Sequence, residues 1–246
     1  MFLKSIKLKK EEIPSFETYP FSIPAISHLD ELKIKSPVTF FVGENGSGKS
    51  TLMEAIAYQC GFNTAGGSHH LYETRSSQSD LGKYIRLAWM PKIKNGFFLR
   101  AESFYQFASY LEELNEDPLS GNVFGSYGGK SLHHQSHGES FLSLFLNRFG
   151  KKAVYLLDEP EAALSPSRQL TLLRIIHDLT KDGDTQFVIA THSPILLGFP
   201  GANIVSFDSD RIAEIDYKDT DHYQITKYFL ENRDRFLEEL LRKNKQ

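Results

Sequence analysis

The stretch that decides the fold of this chain reads Gly43-Glu44-Asn45-Gly46-Ser47-Gly48-Lys49-Ser50-Thr51. Its first eight residues match the spacing G-x-x-x-x-G-K-[ST] of a phosphate-binding loop, or P-loop. The residues before it (38–42) predict a strand, and those after it, to about residue 58, predict a helix. Glycines allow such a loop to point consecutive N–H groups at phosphate oxygens, and the helix N-terminus adds partial positive charge.

The side chains of this loop indicate which ligand it binds. Lys49 is expected to reach the β- and γ-phosphates of ATP, and the Ser50 hydroxyl is expected to ligate Mg²⁺. All residues from 43 to 51 are predicted to contact the nucleotide. A plain glycine-rich turn is the alternative, but the strand–loop–helix context argues against it.

An acidic pair, Asp158 and Glu159, follows a second apolar run at 153–157. Ligands of α/β proteins bind at the carboxyl ends of buried strands. Asp158 is therefore predicted to hold the magnesium ion, and Glu159 to activate the attacking water as a general base. The alternative is a solvated strand end that carries two acidic residues.

Composition sets outer bounds on the protein. The chain has 246 residues, a formal net charge of −3, 40% hydrophobic residues and a single cysteine, Cys60. These values are typical of one globular domain, and they exclude a disulfide framework within the chain. No apolar run is long enough to span a bilayer, and residues 2–8 alternate like a strand rather than forming a signal peptide. We therefore expect one cytoplasmic domain over 1–246, while the charge neither indicates nor excludes nucleic acid as a partner.

The alternation of strands and helices predicts a mostly parallel sheet covered by helices. Further strands are predicted at 84–89, 96–100, 186–190, 204–207 and 212–215. Helices are predicted at 103–114, 139–149, 166–183 and 223–242. The last has a predicted packing face made of Ile225, Phe229, Phe236, Leu237 and Leu240. Tyr19 and Phe21 could stack on adenine, although core packing is the favoured interpretation for both.

Three later segments narrow the class of P-loop protein. They are Ser136-His137-Gly138-Glu139-Ser140, Glu161-Ala162-Ala163-Leu164-Ser165 and Ala190-Thr191-His192-Ser193-Pro194. In this order around the acidic pair, they resemble the signature, the D-loop and the switch-histidine motif of ABC-type ATPases. The resemblance is closest to the soluble branch with SMC, RecF-like and stand-alone AAA/ABC ATPases, and it covers about residues 2–207.

This resemblance implies both a fold and a mechanism. The fold is an α/β P-loop NTPase with a mostly parallel sheet flanked by helices, an antiparallel N-terminal β region and a helical signature subregion at about 101–150. Ser136, Gly138 and Glu139 would contact the ATP held by a second copy of the chain, so that ATP drives homodimerisation. His192 would bind the γ-phosphate and act with Glu159 and Lys49 in hydrolysis.

The chain also departs from the family pattern. The serine-glycine-glycine-glutamine signature of transporters is absent, and the Q-loop glutamine has no clear counterpart, with Glu102 or Gln106 in its position. No heptad run for coiled-coil arms lies between the P-loop and the signature, which argues against SMC-like tethering of DNA. By family analogy, the expected partner is a nuclease or a nucleic-acid-processing factor. The alternatives are the energy-coupling subunit of a membrane transporter and a small-molecule P-loop kinase.

Overall fold

The structure, a computed structural model, describes residues 1–62, 80–102, 104, 108–109, 111–112, 115 and 137–242. For His137 and Gly138 it describes the backbone alone. Ser136, Gln106 and most of the predicted helix at 103–114 lie outside the described residues.

The strands and helices are as follows, in chain order. The strands are β1 (Leu3–Leu8), β2 (Glu31–Lys33), β3 (Val38–Val42), β4 (Ile85–Trp89), β5 (Gly96–Arg100), β6 (Ala153–Asp158), β7 (Thr185–Ala190), β8 (Asn203–Ser206) and β9 (Ala213–Glu214). The helices are α1 (Pro24–Ser27), α2 (Lys49–Cys60), α3 (Asp80–Lys83), α4 (His137–Arg148), α5 (Pro166–Thr180), α6 (Pro194–Leu197), α7 (Asp221–Glu231) and α8 (Arg233–Leu241). Short 3₁₀ turns span Lys10–Glu12, Pro160–Ala163 and Tyr217–Asp219.

Two sheets organise the fold. The larger sheet has the strand order β5-β6-β7-β3-β8-β9, and its strands run parallel except for β9, which is antiparallel to β8. The smaller sheet has the order β2-β1-β4 and is antiparallel throughout. The predicted fold class is confirmed: a mostly parallel sheet flanked by helices, with an antiparallel N-terminal region.

Strand register aligns the carboxyl ends of the parallel strands. Arg100 of β5 pairs with Asp158 of β6, and Asp158 pairs with Ala190 of β7. Ala190 in turn pairs with Phe41 of β3, two residues before the P-loop. The motifs that lie far apart in sequence therefore meet at one edge of the sheet, where α/β proteins bind ligands.

The inner strands β3, β6 and β7 of the large sheet are buried at every residue, which explains their continuous apolar runs. Along β6, Val154 and Leu156 belong to the core shared with α2 and the small sheet. The alternate residues Tyr155 and Leu157 belong to the core shared with α4 and α5. These two cores pack against both faces of the sheet and hold the strand ends of the site edge in place.

The structure corrects several predictions. The single helix predicted at 223–242 is two helices, α7 and α8, because the chain leaves the helical conformation at Asn232 (φ −132°, ψ 34°). Its predicted packing face is wrong for Ile225 and Leu240, which are 60% and 66% exposed. Core packing is confirmed for Phe21 but wrong for Tyr19, which is 74% exposed.

Other differences concern short elements and helix ends. Strand β2 and the helices α1, α3 and α6 were not predicted, because each has only three or four residues and lacks a periodic pattern. The helix predicted at 166–183 ends at Thr180. Within the part of the chain that the structure describes, no helix is long and apolar enough to cross a membrane.

Candidate nucleotide-binding site

The P-loop adopts a conformation that its glycines permit. Gly43, Gly46 and Gly48 have φ angles of 144°, 82° and 102°, which side chains with a Cβ rarely adopt. Gly48 is the residue before α2, and a Cβ there would lie 3.0 Å from Cγ2 of Ile23. The loop therefore connects the end of β3 to the N-terminus of α2, as a phosphate cradle requires.

Lys49 is buried at the base of this loop, with 4% of its surface exposed. Its Nζ donates hydrogen bonds to the carbonyl oxygens of Gly43 (2.6 Å) and Glu44 (2.9 Å). Burial lowers the pKa of the Lys49 ammonium, and nearby carboxylates led by Glu159 oppose this effect. Because an ammonium has three donors, Lys49 can bond the loop and still offer a proton to a phosphate.

Ser50 and Asp158 form the predicted magnesium pair. Ser50 Oγ donates to Asp158 Oδ1 at 3.1 Å, across 108 residues of sequence. Burial raises the pKa of the Asp158 carboxyl to about 6, although Arg100 and the hydrogen bond from Ser50 oppose the rise. A hydroxyl and a carboxylate at the phosphate end of a P-loop suit Mg²⁺, which prefers oxygen ligands.

Arg100, which no motif includes, is the main cation beside Asp158. Its guanidinium lies 3.6 Å from Asp158 Oδ2, bonds Glu54 of α2 at 2.5 Å and also pairs with Glu102. A cavity of about 530 Å³ is lined by Ser50, Arg100, Glu102, Asp158 and Glu159, among other residues. Glu102, one of the two residues predicted for the Q-loop position, therefore lines the same cavity as Ser50 and Asp158.

Glu159 turns the chain sharply after β6. It has φ 51° and ψ 50°, a left-handed conformation that is uncommon for a residue with a Cβ. Its backbone N–H donates to Ala190 O (2.9 Å), which extends the pairing of β6 with β7. The side chain remains 46% exposed, and its Oε1 lies 3.7 Å from Nε2 of His192.

His192 is held by contacts with two separate elements. Its backbone N–H donates to Oε1 of Glu161 at 2.5 Å, which ties it to the turn after the acidic pair. Its Nδ1 lies 2.9 Å from Nε2 of His222, at the start of α7. Its Nε2 is buried and has no hydrogen-bond partner among the described residues. Buried polar atoms are rarely left unpaired, so this nitrogen is available for a ligand.

A buried hydrogen bond between Ser193 and Gln169 holds the segment that carries His192 in place. Ser193 Oγ donates to Oε1 of Gln169 at 2.5 Å, and Gln169 Nε2 donates to the carbonyl of Leu164. The same Ser193 oxygen accepts from the N–H groups of Ile195 and Leu196 and so caps α6. The histidine segment, α5 and the turn after the acidic pair are thereby fixed to one another.

The signature segment is described only in part. Ser136 lies outside the described residues, and Gly138 is in the first turn of α4. Glu139 is exposed and lies 3.5 Å from the guanidinium of Arg168 on α5.

Sequence reasoning missed several residues at the site. Arg100, Asp208 and His222 belong to no motif. Arg100 ends β5, Asp208 lies two residues after β8, and His222 lies in α7. Asp208 Oδ1 accepts a hydrogen bond from the backbone N–H of Glu44 at 2.7 Å. Asp208 could have been predicted as a site residue, because it is an acidic residue just after a buried strand. His222 could not, because a single histidine at the start of a helix does not indicate a functional site.

Comparisons with known proteins agree with this geometry. Residues 140–198 match the family described as "AAA domain, putative AbiEii toxin, Type IV TA system", and residues 15–116 match the family described as "AAA domain". The chain is 25% identical over 187 residues to a putative ABC transporter ATP-binding protein of Methanothermobacter marburgensis (71% of this chain, 67% of the relative). It is 24% identical over 203 residues to the petrobactin import ATP-binding protein FpuD of Bacillus anthracis (75% and 73%).

A solved SMC head bound to the C-terminal winged-helix domain of ScpA shares the fold. The TM-score is 0.50 at 13% identity, over 87% of this chain and 98% of that chain. The matched families, the relatives and the P-loop geometry lead to one classification. The chain carries an AAA/ABC-type P-loop ATPase domain and is an ATP-hydrolysing enzyme.

Proposed function

We propose that this ATPase is an Mg²⁺-dependent switch in which two copies close around ATP and reopen after hydrolysis. One observation carries the proposal. The Glu159 carboxylate lies 3.7 Å from His192 Nε2, at the sheet edge that also holds Lys49 and the Ser50–Asp158 pair. A base, a hydrogen-bond donor, a phosphate-binding cation and a metal pair are the parts that nucleotide hydrolysis needs.

The P-loop binds the phosphates of ATP. The N–H groups of residues 43–51 and the Lys49 ammonium hold the phosphates, with the N-terminus of α2 directed at them. Ser47 Oγ is buried without a hydrogen-bond partner in the described part of the chain, which leaves it available to the ligand. Ser50 and Asp158 would hold Mg²⁺, which neutralises charge on the phosphate oxygens when it is bound.

Glu159 and His192 catalyse the hydrolysis step. A water molecule attacks the γ-phosphorus, and Glu159 accepts its proton as the bond to the β,γ-bridging oxygen breaks. ADP and inorganic phosphate are the products. His192 donates a hydrogen bond from Nε2 to the γ-phosphate and orients the attacking water.

The exposure of the site supports a second copy as its other half. Glu44, Asn45 and Gly46 are exposed, as is nearly half of the Glu159 side chain. Efficient phosphoryl transfer excludes bulk water, so this side needs a cover. In the proposal the cover is the signature of the partner copy, with its Ser136, Gly138 and Glu139, where α4 begins and presents N–H groups to the γ-phosphate.

Tyr19 is the proposed platform for adenine. Its ring is 74% exposed, and its hydroxyl lies 3.3 Å from Oγ1 of Thr51, next to the P-loop. An exposed aromatic side chain beside a phosphate loop is suited to stacking on a base. Phe21 has no such role, because it is buried against Tyr84.

Size measurement with ATP tests the switch directly. Glu159→Gln keeps the shape of the side chain but removes the base, so the ATP-bound state should persist. We expect the variant to elute as a dimer with ATP and Mg²⁺ and as a monomer with ADP, by light scattering after gel filtration. Hydrolysis should fall by about 10²–10⁴-fold, the usual contribution of a general base.

Glu11→Gln is the matched control, because Glu11 is exposed on the Lys10–Glu12 turn, outside the site. It should hydrolyse ATP like the wild type and should not accumulate as a dimer. A Glu159→Gln protein that binds ATP but stays monomeric at all ATP concentrations contradicts the two-copy switch. The ATPase assignment itself would stand in that case.

The work driven by the switch is proposed to lie in a partner, a nuclease or a nucleic-acid-processing factor. A second candidate function is that of an energy-coupling ATPase of a membrane transporter, which the named function of the FpuD relative favours. Glu159→Gln with ATP should retain the true partner in a pull-down from the native host. Recovery of a nuclease supports the first function, and recovery of a membrane permease supports the second.

A further inference from the structure

His222 contacts the ring of His192 from a part of the chain that no nucleotide motif includes. Its Nε2 lies 2.9 Å from Nδ1 of His192, and the ring centroids are 5.0 Å apart at 48°. The two rings are thus in hydrogen-bond contact. His222 lies in the first turn of α7, thirty residues after His192.

The backbone that carries His222 is anchored to the histidine segment. Tyr217 donates a hydrogen bond from its hydroxyl to the carbonyl of Pro194 at 3.0 Å. Thr220, which is 1% exposed, caps α7 by accepting from the N–H of Tyr223 and donates to the carbonyl of Tyr217. These contacts fix the start of α7 on both sides of His222, so the contact between the histidines is built into the fold.

We infer that His222 is a positioning residue for ATP hydrolysis, which holds His192 in the tautomer with its proton on Nε2. This inference rests on the proposed function, in which His192 donates to the γ-phosphate. His222 donates its Nε2–H to Nδ1 of His192, so the only N–H of the neutral His192 ring is the one on Nε2. That N–H faces Oε1 of Glu159 at 3.7 Å.

The opposite arrangement is unfavourable. If His192 carried its proton on Nδ1 and donated to His222, the lone pair of its Nε2 would face the Glu159 carboxylate. It would also face the γ-phosphate when ATP is bound. Two acceptors that face each other repel, and the buried Nε2 of His192 would remain without a donor, which costs free energy.

The charges around His192 favour a neutral ring, for which the tautomer matters. Burial lowers the pKa of His192, the neighbouring Lys49 and His222 lower it further, and Glu159 and Glu44 oppose them. A doubly protonated ring would need no positioning partner to present an N–H. A neutral ring does, and a second residue commonly sets the tautomer of a functional histidine in this way.

The tautomer can be measured without ATP hydrolysis. Long-range ¹H–¹⁵N spectra distinguish Nε2–H from Nδ1–H histidines, and His192→Ala identifies the signals of His192. We expect Nε2–H in the wild type, loss of that single tautomer in His222→Ala and its retention in His222→Gln, whose amide N–H can donate to Nδ1. His177→Ala, a histidine exposed on α5, is the matched control and should leave the signals of His192 unchanged.

Kinetics then test the consequence for hydrolysis. His222→Ala should lower kcat about tenfold, less than removal of a proton-transfer group, with KM and ATP-dependent association unchanged. His222→Gln should restore most of kcat. The double variant His192→Ala/His222→Ala should hydrolyse ATP no more slowly than His192→Ala alone, because the two residues act as a unit.

The outcomes separate this inference from the proposed function. A His192 ring that carries its proton on Nδ1 in the wild type, or a tautomer that is the same in His222→Ala, overturns the role of His222. Additive losses in the double variant also overturn it. If the tautomer depends on His222 but the Glu159→Gln protein never dimerises, His222 keeps its positioning role and the two-copy switch fails.

Discussion

The P-loop side and the histidine side of the site are built in different ways. On the P-loop side, Lys49 bonds the carbonyls of Gly43 and Glu44, five or six residues away. On the histidine side, His192 is held by Glu161 and by His222, 31 and 30 residues away. One side depends on local backbone torsions, and the other depends on side-chain hydrogen bonds between separate elements.

This difference has a physical consequence. A loop shaped by glycine torsions and followed by a helix keeps its form as long as those two elements persist. A network such as Ser193–Gln169 and His192–His222 requires several elements to be docked together. Substitutions outside the motifs should therefore disturb the histidine side more than the P-loop side.

The largest effect is expected at Lys49, because the proposed mechanism assigns the phosphate contacts to the P-loop side. Lys49→Met keeps the length of the side chain and removes its charge, so hydrolysis should fall by about 10²–10³-fold. Stability should change little, because relief of the buried charge opposes the loss of the hydrogen bonds to Gly43 and Glu44. Steady-state ATP hydrolysis and thermal unfolding measure the two effects.

Lys33→Met on strand β2 is its matched control, as Lys33 is exposed and outside the site. It should hydrolyse ATP at the wild-type rate. Lys49→Met with full activity would remove the lysine from the mechanism and leave the P-loop side with its backbone alone.

The next effect is a gain in stability at Asp158, where the two sides meet. Burial raises the pKa of its carboxyl to about 6, from 3.8. The folded state therefore holds the proton more tightly than the unfolded state, and this contribution to stability is lost as the pH rises from about 4 through 6. Asp158→Asn should raise the free energy of unfolding by up to about 3 kcal/mol at pH 7.5, with no gain below about pH 4.

Denaturant unfolding at pH 4 and pH 7.5, without nucleotide or metal, measures this difference. Asp182→Asn is a useful contrast, because the neighbouring Lys151 lowers the pKa of that exposed carboxyl. It should give no gain at pH 7.5. Equal stability of Asp158→Asn and the wild type at pH 7.5 would mean that the site already compensates the buried charge.

Residue type and spacing made the P-loop side predictable. Glycine at 43, 46 and 48 and lysine at 49 define a conformation that few other sequences can form. Strands β3 and β5 have the predicted bounds, because short apolar runs before a motif or between turns are strong signals. The fold class followed from the alternation of such runs with helices.

The histidine side was predictable only where a motif marks it. His192 follows a buried strand and lies in the segment that resembles the switch-histidine motif. The local sequences of His222 and Gln169 do not indicate which residues they contact. Their contacts come from the docking of α7 and α5 at the sheet edge, which depends on the whole fold. The break at Asn232 was missed for a related reason, since helical periodicity continues across it.

A moderate loss is expected at Ser193, which joins the elements of the histidine side. Ser193→Ala removes the cap of α6 and leaves the buried Gln169 Oε1 without its donor. Together these should lower the free energy of unfolding by about 2 kcal/mol. Denaturant unfolding measures the loss, and hydrolysis should fall as well, while ATP binding by the P-loop side is retained.

Ser167→Ala is the control for this variant, since Ser167 is exposed in the first turn of α5. It should change stability by less than about 0.5 kcal/mol. Unchanged stability and hydrolysis in Ser193→Ala would show that the histidine side does not rely on its buried network, and the contrast between the two sides would then fail.

The smallest effect is expected at Asp208, whose side chain accepts a hydrogen bond from the P-loop backbone across 164 residues of the chain. Its Oδ1 accepts from the N–H of Glu44 at 2.7 Å, and its Oδ2 accepts from the hydroxyl of Ser206. Because Asp208 is exposed and water can replace it, Asp208→Ala should cost about 1 kcal/mol of stability. Asp208→Asn retains an acceptor and should cost less, which separates the hydrogen bond from the charge.

Thermal unfolding and ATP titration of both variants measure whether the loop holds its shape alone. A loss in ATP affinity for Asp208→Ala as large as that for Lys49→Met would mean that the P-loop side, too, depends on a contact across 164 residues.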